Sequence, residues 1–449
     1  MKTVKTNQIT EGPLLETFVK YFIPILLGSI LQQSYSFVDA LIIGNFAGAK
    51  ALAAIDSPYA TIKLLINTFI ALSSGSAIVI AQLYGAKDEE NVSKTINAIF
   101  LFSIFGGIII SAIGIIFAKR FSYIMLIPDD IFQMSVDYLR IYFAGSVFVF
   151  VYNMAAGSLR ALGDSKRPFY YLIVSSGLNI ILDLVFVAKF RMGVKGAALA
   201  TIISQAFSAA LVIYRMRNQF NYFRFDNFHF ASSKANLFDS LKLGFPMAMQ
   251  SILFSVANIY MQRGINSFGS ESIAGWSICG KSDFLIWTLS ETMGLAVLTF
   301  VAQNYGAKKF DRMKQSLKYG LFISVLTVGS ISAILYLFID KIAHLFTDNN
   351  RAIHYSINLM RTVAPFYIFY GIGEVYSGAI KGRGQTFMPM IMTLIGTCLF
   401  RIIWILINMP KNANLYKIIF GYPLSWIITA TLMFILYLNY SKLNKTNTK

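Results

Sequence analysis

The stretch AQLYGAK at residues 81–87 returns as AQNYGAK at residues 302–308, with one residue of the seven changed. The two stretches lie 221 residues apart, and each ends an apolar run with Gly-Ala-Lys. Because glycine adopts the backbone angles that a sharp turn needs, we expect each stretch to close a helix with a turn at its glycine. The repetition predicts an internal duplication if the flanking residues repeat in the same register.

The flanking residues do repeat. GSLRALGDSKRP at 157–168 aligns with GAIKGRGQTFMP at 378–389 at the same shift. With one residue of slack, Pro24 in FIPIL falls on Pro246 in GFPMA. A shared register over several separate segments indicates that the chain consists of two copies of one unit.

The composition indicates that both copies lie in a membrane. Hydrophobic residues make up 56% of the 449 positions and charged residues only 13%, whereas soluble domains carry about a quarter charged residues. Twelve apolar runs are each about 20 residues long, which is enough to cross a bilayer as a helix. They lie near 17–43, 55–80, 95–117, 133–157, 168–189, 195–215, 238–263, 278–303, 316–340, 355–380, 387–409 and 415–438.

Each copy holds six runs, an even number, so both copies enter the membrane in the same direction. We therefore expect an all-α polytopic membrane protein with twelve transmembrane helices, arranged as two parallel six-helix bundles with pseudo-twofold symmetry along the membrane normal. The predicted parts are a first bundle at 1–216, a cytoplasmic linker at 217–236, a second bundle at 237–440 and a cytoplasmic tail at 441–449.

The net charge of +18 follows a membrane pattern rather than a nucleic-acid pattern. Lys and Arg residues in the tails and loops on the side of the two termini outnumber those on the other side, which indicates the cytoplasm. No nucleic-acid partner is expected. The two cysteines and three histidines form no metal-binding or nucleophilic constellation, so neither an enzyme, a structural metal nor a cofactor is predicted.

Several motifs together resemble one transporter family. They are the doubled AQxYGAK, the connections LRALGDSKRP and IKGRGQTFMP, FVDALIIG at the end of the first run and GLNIILDLVF in the fifth. This set resembles the multidrug and toxic compound extrusion family over essentially the whole chain. The resemblance implies a pair of six-helix bundles that exports organic compounds in exchange for protons or sodium ions.

Three of the first six runs carry a polar helical face at about the same depth. The faces consist of Gln32, Ser36 and Asp39; of Ser176, Asn179 and Asp183; and of Thr201, Gln205 and Ser208. A charge inside a span is costly, so each acid is a functional candidate, with hydrogen bonding to a neighbouring helix as the structural alternative. In the family resembled, the matching positions form the proton-linked site, which implies ion-coupling roles for Asp39, Asp183, Asn179, Thr201 and Tyr138. Sodium binding by Asp39, Asn179, Asp183 and Thr201 stays open, so the coupling ion is H⁺ or Na⁺.

The second copy lacks the two acids, since Asp183 falls on Trp404 at a shift of 221. The predicted second-half polar site consists of Glu374, Asn258, Gln262 and Tyr370. A structural role for Glu374 is the alternative. Pro24, on the same run as Asp39, is predicted to act as a hinge, with a static kink as the alternative.

The sequence therefore favours a secondary active antiporter of a bacterial inner membrane, multi-pass, monomeric and with both termini cytoplasmic. Its expected substrates are small amphipathic or cationic organic compounds. A lipid-linked saccharide flippase of similar architecture is the alternative. A flippase favours several central basic residues, and Lys63, Lys281 and Arg401 keep it open. An integral membrane enzyme is the remote alternative, and no nucleophile with a base supports it.

The predicted topology can be tested by labelling intact cells. In a chain whose Cys279 and Cys398 are replaced by serine, a membrane-impermeant maleimide should label Ser270→Cys. It should label Asn221→Cys only after the cells are permeabilised, because the 217–236 connection is expected in the cytoplasm. Labelling of Asn221→Cys in intact cells, with Ser270→Cys silent, would invert the topology.

Overall fold

The computed structural model describes residues 7–219, 230–409 and 414–446, and within these ranges it is helical and has no β-strand. The helices are α1 (Gln8–Glu11), α2 (Leu14–Phe46), α3 (Ala49–Asp56), α4 (Tyr59–Gly85), α5 (Glu89–Ile124), α6 (Asp129–Ala144), α7 (Ser146–Ala161), α8 (Lys166–Asp183), α9 (Gly193–Gln219), α10 (Phe230–Asn266), α11 (Ser270–Ser282), α12 (Phe284–Gly306), α13 (Phe310–His344), α14 (Asn350–Val363), α15 (Tyr367–Gly382), α16 (Phe387–Thr393), α17 (Phe400–Asn408), α18 (Leu415–Ile419) and α19 (Gly421–Thr446). Two π-helical segments, Leu184–Lys189 and Leu394–Leu399, continue α8 and join α16 to α17. The predicted all-α fold is confirmed.

Ten helical stretches in the described part of the chain are long and apolar enough to cross a membrane. They are α2, α4, α5, α8 with its π-helical segment, α9, α10, α12, α13, α16 with α17, and α18 with α19. An eleventh is the pair α6 and α7, which bends by 46° at its break. The protein is therefore a polytopic membrane protein, roughly as the sequence predicted.

The predicted span at 355–380 accounts for the difference from twelve. The structure divides it into α14, a 3₁₀ turn at Ala364–Phe366 and α15. Pro365 lies in this turn, and proline removes a backbone donor that a continuous α-helix would use. With 14 and 16 residues, neither helix alone reaches the length of about 20 residues that crosses a bilayer.

The chain forms two compact units. The first unit is Ile23–Ala248, and the second unit is Met1–Phe22 together with Met249–Lys449. Their boundaries fall inside α2 and α10, beside Pro24 and Pro246 respectively. The linker predicted at 217–236 and the tail at 441–449 fall partly outside the described residues, and the boundaries predicted from the sequence stay a prediction.

One tight helix contact occurs in both units. In the first unit, a Cβ atom added to Gly157 on α7 would lie 2.1 Å from Oγ of Ser73 on α4. In the second unit, a Cβ atom on Gly378 of α15 would lie 2.3 Å from the carbonyl oxygen of Gly294 on α12. Both members of the pair are shifted by 221 residues, so the duplication repeats a packing contact as well as a sequence. Small residues let membrane helices approach this closely.

The repeated turns differ from the sequence expectation in one respect. Gly85 and Gly306 are the last residues of α4 and α12. The left-handed conformation falls instead on Lys87, with φ 61°, and on Lys308, with φ 57°. The expectation that the glycine makes the turn was therefore wrong, because the helix continues through it and reverses two residues later. A lysine tolerates this region at a cost of roughly 1 kcal/mol.

The turn after Lys87 carries a cap that the second copy lacks. The Asp88 carboxylate accepts hydrogen bonds from the amide of the Asn91 side chain at 2.7 Å and from the Asn91 backbone N–H at 3.1 Å. These two bonds hold the pKa of the Asp88 carboxyl below its usual range. The cap's contribution is therefore present above the ordinary Asp pKa and is lost as the pH falls through the lowered value. In the second copy Lys309 stands at this position and its side chain makes no cap.

The contact of α12 with α15 predicts a strong effect of a single methyl group. Gly378→Ala should lower the unfolding temperature by several degrees, because its Cβ meets a backbone oxygen and the overpacking costs about 1–3 kcal/mol. A thiol-reactive dye can report unfolding, since Cys279 and Cys398 are buried in the second unit. The matched control is Gly280→Ala, where the added Cβ meets nothing within 4 Å. Equal unfolding temperatures for the two variants would contradict the contact.

Candidate functional site

Two acids from distant parts of the sequence meet in the first unit. Asp39 lies on α2 and Asp183 is the last residue of α8. Their carboxyl groups lie within hydrogen-bonding reach of each other. Asp183 is completely buried, at 0% exposure. The structure therefore brings together the two acids that the sequence placed at one depth.

This carboxyl pair has no protein donor in the described part of the chain. Oδ1 of Asp39 and both carboxyl oxygens of Asp183 are buried and unpartnered. Asn179, one turn before Asp183 on α8, is also buried, and neither its amide nitrogen nor its oxygen has a partner. Native proteins pair almost all buried polar atoms, so such a group of unpartnered atoms indicates a missing ligand.

The surroundings of the carboxyl pair are apolar and aromatic. Ile43 and Val187, each one turn beyond an acid, belong to a buried cluster together with Tyr138 and Tyr142 of α6. The rings of the two tyrosines stack at 6.1 Å. Tyr138 lies within electrostatic range of both Asp39 and Asp183, which places it near the pair as its position in the sequence suggested.

Thr201 is placed differently from the other predicted site residues. Its hydroxyl donates to the carbonyl oxygen of Ala197 on its own helix, α9, at 3.0 Å. The hydroxyl proton is thus used inside the helix, and only the oxygen lone pairs can serve a ligand. This geometry leaves Thr201 as an acceptor for a cation and not as a donor to a carboxylate.

The chemistry of the pair follows from its donors and acceptors. Two carboxylates have only acceptor oxygens and repel each other at short range. A proton between them or a cation bound to both removes the repulsion. The basic side chains paired with acids nearby lie further out, as in the contact of Lys195 with Asp137 at 3.1 Å. The site is therefore suited to bind and release a small positive ion.

The second-half polar site is only partly assembled. Tyr370 lies within electrostatic range of Glu374, Glu291 and Arg401. Glu374 is half-buried and lies against Gly294 of α12. Gln262 does not join them, because its amide donates to the Asn266 side chain at 2.7 Å on the exposed side of α10. The structure thus supports Tyr370 and Glu374 as neighbours and separates Gln262.

Asn258 belongs to a cluster that the sequence reasoning did not identify. Its side-chain oxygen accepts a hydrogen bond from Nη1 of Arg401 at 2.8 Å. Nε of Arg401 donates to the Ser425 hydroxyl at 2.9 Å. The three residues come from α10, α17 and α19, so no local spacing could have predicted the contact. The available signal was the arginine itself, a charge in the middle of an apolar run.

An aromatic cluster surrounds this arginine. The guanidinium of Arg401 lies 4.4 Å from the centre of the Tyr422 ring and 5.5 Å from that of Phe254. Tyr422 continues into Trp426, and Trp426 into Trp287, with ring centres 6.0 and 5.9 Å apart. Beyond them, the Tyr367 hydroxyl donates to the buried carboxylate of Asp283. The second unit therefore contains a buried cation with an aromatic lining.

Pro24 lies inside α2, which continues through it as a helix. Proline has no N–H for the carbonyl of Lys20 and cannot complete that turn of the helix. The boundary of the two compact units falls one residue before it. The position suits a bending point, and the hinge role stays a prediction.

Comparison with known proteins identifies relatives over nearly the whole chain. The family model MatE matches twice, at residues 24–185 and 246–407, which reproduces the duplication read from the sequence. The chain is 28% identical over 396 residues to the probable multidrug resistance protein YoeA of Bacillus subtilis, covering 87% of this chain and 86% of that protein. It is 25% identical over 413 residues to the multidrug export protein MepA of Staphylococcus aureus, with 87% of each chain covered. A solved structure of MATE in the bent conformation superimposes with a TM-score of 0.93 at 22% identity over both full chains.

The unpartnered carboxyl pair predicts a gain in stability when an acid is removed. Asp183→Leu should raise the unfolding temperature by a few degrees, because it removes a buried polar group that no donor satisfies. Circular dichroism of the purified protein in detergent measures this change. The control is Asp137→Leu, which breaks the ion pair with Lys195 and should bring no gain. A large loss of stability in Asp183→Leu would show that Asp183 has a structural partner.

Proposed function

The chain belongs to the MatE family of multidrug efflux transporters, and we propose that it is a secondary active antiporter that exchanges protons for organic compounds. The proposed substrates are amphipathic or cationic compounds carried out of the cytoplasm. The unpartnered pair of Asp39 and Asp183 is the observation that carries the proposal. The names of YoeA and MepA, multidrug resistance and multidrug export, agree with the proposed substrate class.

The coupling step uses the carboxyl pair. With one proton shared between Asp39 and Asp183, the mutual repulsion of the two carboxylates disappears and the pair fits its apolar surroundings. Loss of that proton leaves two charges without a donor, and the unit has to rearrange or admit water. Protonation thus biases the first unit between two arrangements, which is what coupling of an ion to a conformational change requires.

Sodium is the second candidate for the coupling ion. Asn179 supplies an amide oxygen, Thr201 supplies a hydroxyl oxygen, and the two carboxylates complete a set of hard oxygen ligands. We favour the proton for two reasons. Two carboxyl groups can share one proton without any further ligand, whereas the Thr201 hydroxyl is held by its own helix. No His or Cys belongs to this set, so the ion is cargo and not a resident metal.

A lipid-linked saccharide flippase remains the second candidate function because of Arg401. A pyrophosphate carries several negative charges and calls for several basic groups at one place. Of the three basic residues that keep this alternative open, Lys63 is exposed and Lys281 lies over the Phe346 ring. Arg401 is then the single buried cation of the set, and this favours the antiporter.

The location and assembly of the protein are proposed on the same basis. We place it as a multi-pass monomer in the inner membrane of a bacterium, with both termini in the cytoplasm. The excess of Lys and Arg on that side supports the orientation. In this orientation inward proton movement gains about 2.3 kcal/mol per 100 mV of membrane potential, in addition to the pH gradient.

Transport in proteoliposomes tests the coupling. An imposed pH gradient without sodium should drive uptake of a cationic dye. Asp39→Asn and Asp183→Asn should each abolish it, because an amide cannot take up and release the proton. Glu374→Gln should cost less or change which compounds move. The control Asp137→Asn should transport normally.

Two results would count against this assignment. Transport that ignores the pH gradient but follows a sodium gradient would replace the proton while keeping the site. A dead Glu374→Gln variant together with active Asp39→Asn and Asp183→Asn variants would move the coupling site to the second half.

A further inference from the structure

Arg401 is the largest fully buried side chain of the described residues, at 0% exposure. It lies on α17, two residues after the π-helical segment Leu394–Leu399. A guanidinium remains charged in proteins, so it cannot escape burial by losing its proton. Burial of such a charge is strongly unfavourable unless a partner of opposite charge accompanies it.

The partners of Arg401 in the structure are all neutral. Nε and Nη1 donate to the Ser425 hydroxyl and the Asn258 amide oxygen, and the Tyr422 and Phe254 rings lie against the guanidinium. Nη2 is buried and has no hydrogen-bond partner. In the described part of the chain Arg401 forms no ion pair with an acid. One donor group of the guanidinium fork therefore lacks an acceptor.

The position of Arg401 in the repeat connects it with the site in the first copy. The π-helical segment that follows Asp183 begins at Leu184, whereas its counterpart in the second copy begins earlier, at Leu394. A π-helical turn bonds residue i to i+5 and so holds one extra residue. The shift between the copies therefore grows from 221 to 222 across Leu394–Leu399, in agreement with the family match of 24–185 and 246–407.

With this shift the two sites correspond residue by residue. Arg401 stands opposite Asn179, and Ile405, rather than Trp404, stands opposite Asp183. The same shift of 222 places Asn258 opposite Ser36, one turn before Asp39. The second copy thus replaces an acidic ion site by a basic one at the same place in the fold. The match to Trp404 expected from a uniform shift was wrong because of the extra π-helical residue.

We propose that Arg401 binds the carboxylate of a transported aromatic compound, with the Tyr422, Trp426 and Trp287 rings packing against its apolar part. The inference rests on the proposed function and narrows its substrate class to amphipathic compounds that carry a carboxylate, including zwitterions. A carboxylate accepts two parallel hydrogen bonds from a guanidinium fork, which supplies an acceptor for Nη2. Because the guanidinium is closed off in this state, the neighbouring rings move when the ligand enters.

A matched pair of dyes tests this proposal. Rhodamine B carries a free carboxylate, and its ethyl ester differs only in that group. Binding of each dye to the purified full-length protein in lipid-free detergent is measured by fluorescence anisotropy. Arg401→Gln should weaken binding of rhodamine B by at least about tenfold, because it removes a charge-assisted bidentate contact. Binding of the ethyl ester should change by less than about twofold.

Two further variants separate recognition from folding. Arg263→Gln removes an exposed basic residue of the same unit and should leave both affinities unchanged. If Arg401→Gln does not fold, Arg401→Lys keeps the charge and loses the fork, and rhodamine B should still bind several-fold more weakly. Equal effects of the Arg401 variants on the acid and the ester, or no effect on either, would overturn the proposal. Displacement of rhodamine B by phosphatidylglycerol, seen only when Arg401 is present, would assign the site to a lipid headgroup instead.

The outcome is distinguishable from that of the proposed function. Proton-driven transport of the ethyl ester with no role for Arg401 in binding would leave the antiporter standing and remove the carboxylate site. Arg401-dependent binding of rhodamine B without proton-driven transport of either dye would do the reverse.

Discussion

Hydrogen bonding inside lipid is the constraint on which the other features depend. A backbone N–H or C=O without a partner in the hydrocarbon region costs several kcal/mol, so the spans are helices that satisfy their own backbone. These helices then associate by close packing and not by the hydrophobic effect. The contacts of Gly157 with Ser73 and of Gly378 with Gly294 are the places where this packing is tightest. A polar side chain that stays unpartnered within such a bundle is the exception that calls for a functional reason.

The two copies use the same packing contact and opposite chemistry. The first copy keeps two acids and an amide without partners, and the second keeps an arginine with one unpartnered nitrogen. Duplication supplies a helical frame whose tight contacts restrict most positions. The side chains at the unsatisfied positions do not take part in those contacts, so they can diverge without loss of the fold. The charge reversal between Asn179 with Asp183 and Arg401 with Ile405 is an example.

The sequence predicted the features that depend on local periodicity. Hydropathy located nearly every span, and helical spacing placed Asp39 and Asp183 on polar faces at one level, where the structure has them adjacent. It did not predict contacts made across distant helices. Asn258 and Ser425 meet Arg401 from helices 143 and 24 residues away, and no spacing rule reaches that far. The interrupted span around Ala364–Phe366 also passed unnoticed, because a hydropathy average does not register a single proline.

The turn motif and the π-helical segments show why a register matters more than a match of letters. AQxYGAK repeats at a shift of 221 residues, yet the residue that reverses the chain is Lys87 or Lys308 and not the glycine. One extra residue in Leu394–Leu399 changes the shift to 222, and every side chain after it turns by about 100° around the helix axis. That rotation directs Arg401, and not Ile402, to the position that Asn179 occupies in the first copy. A single inserted residue, held in a π-helical turn, therefore determines which charge the second copy presents at its site.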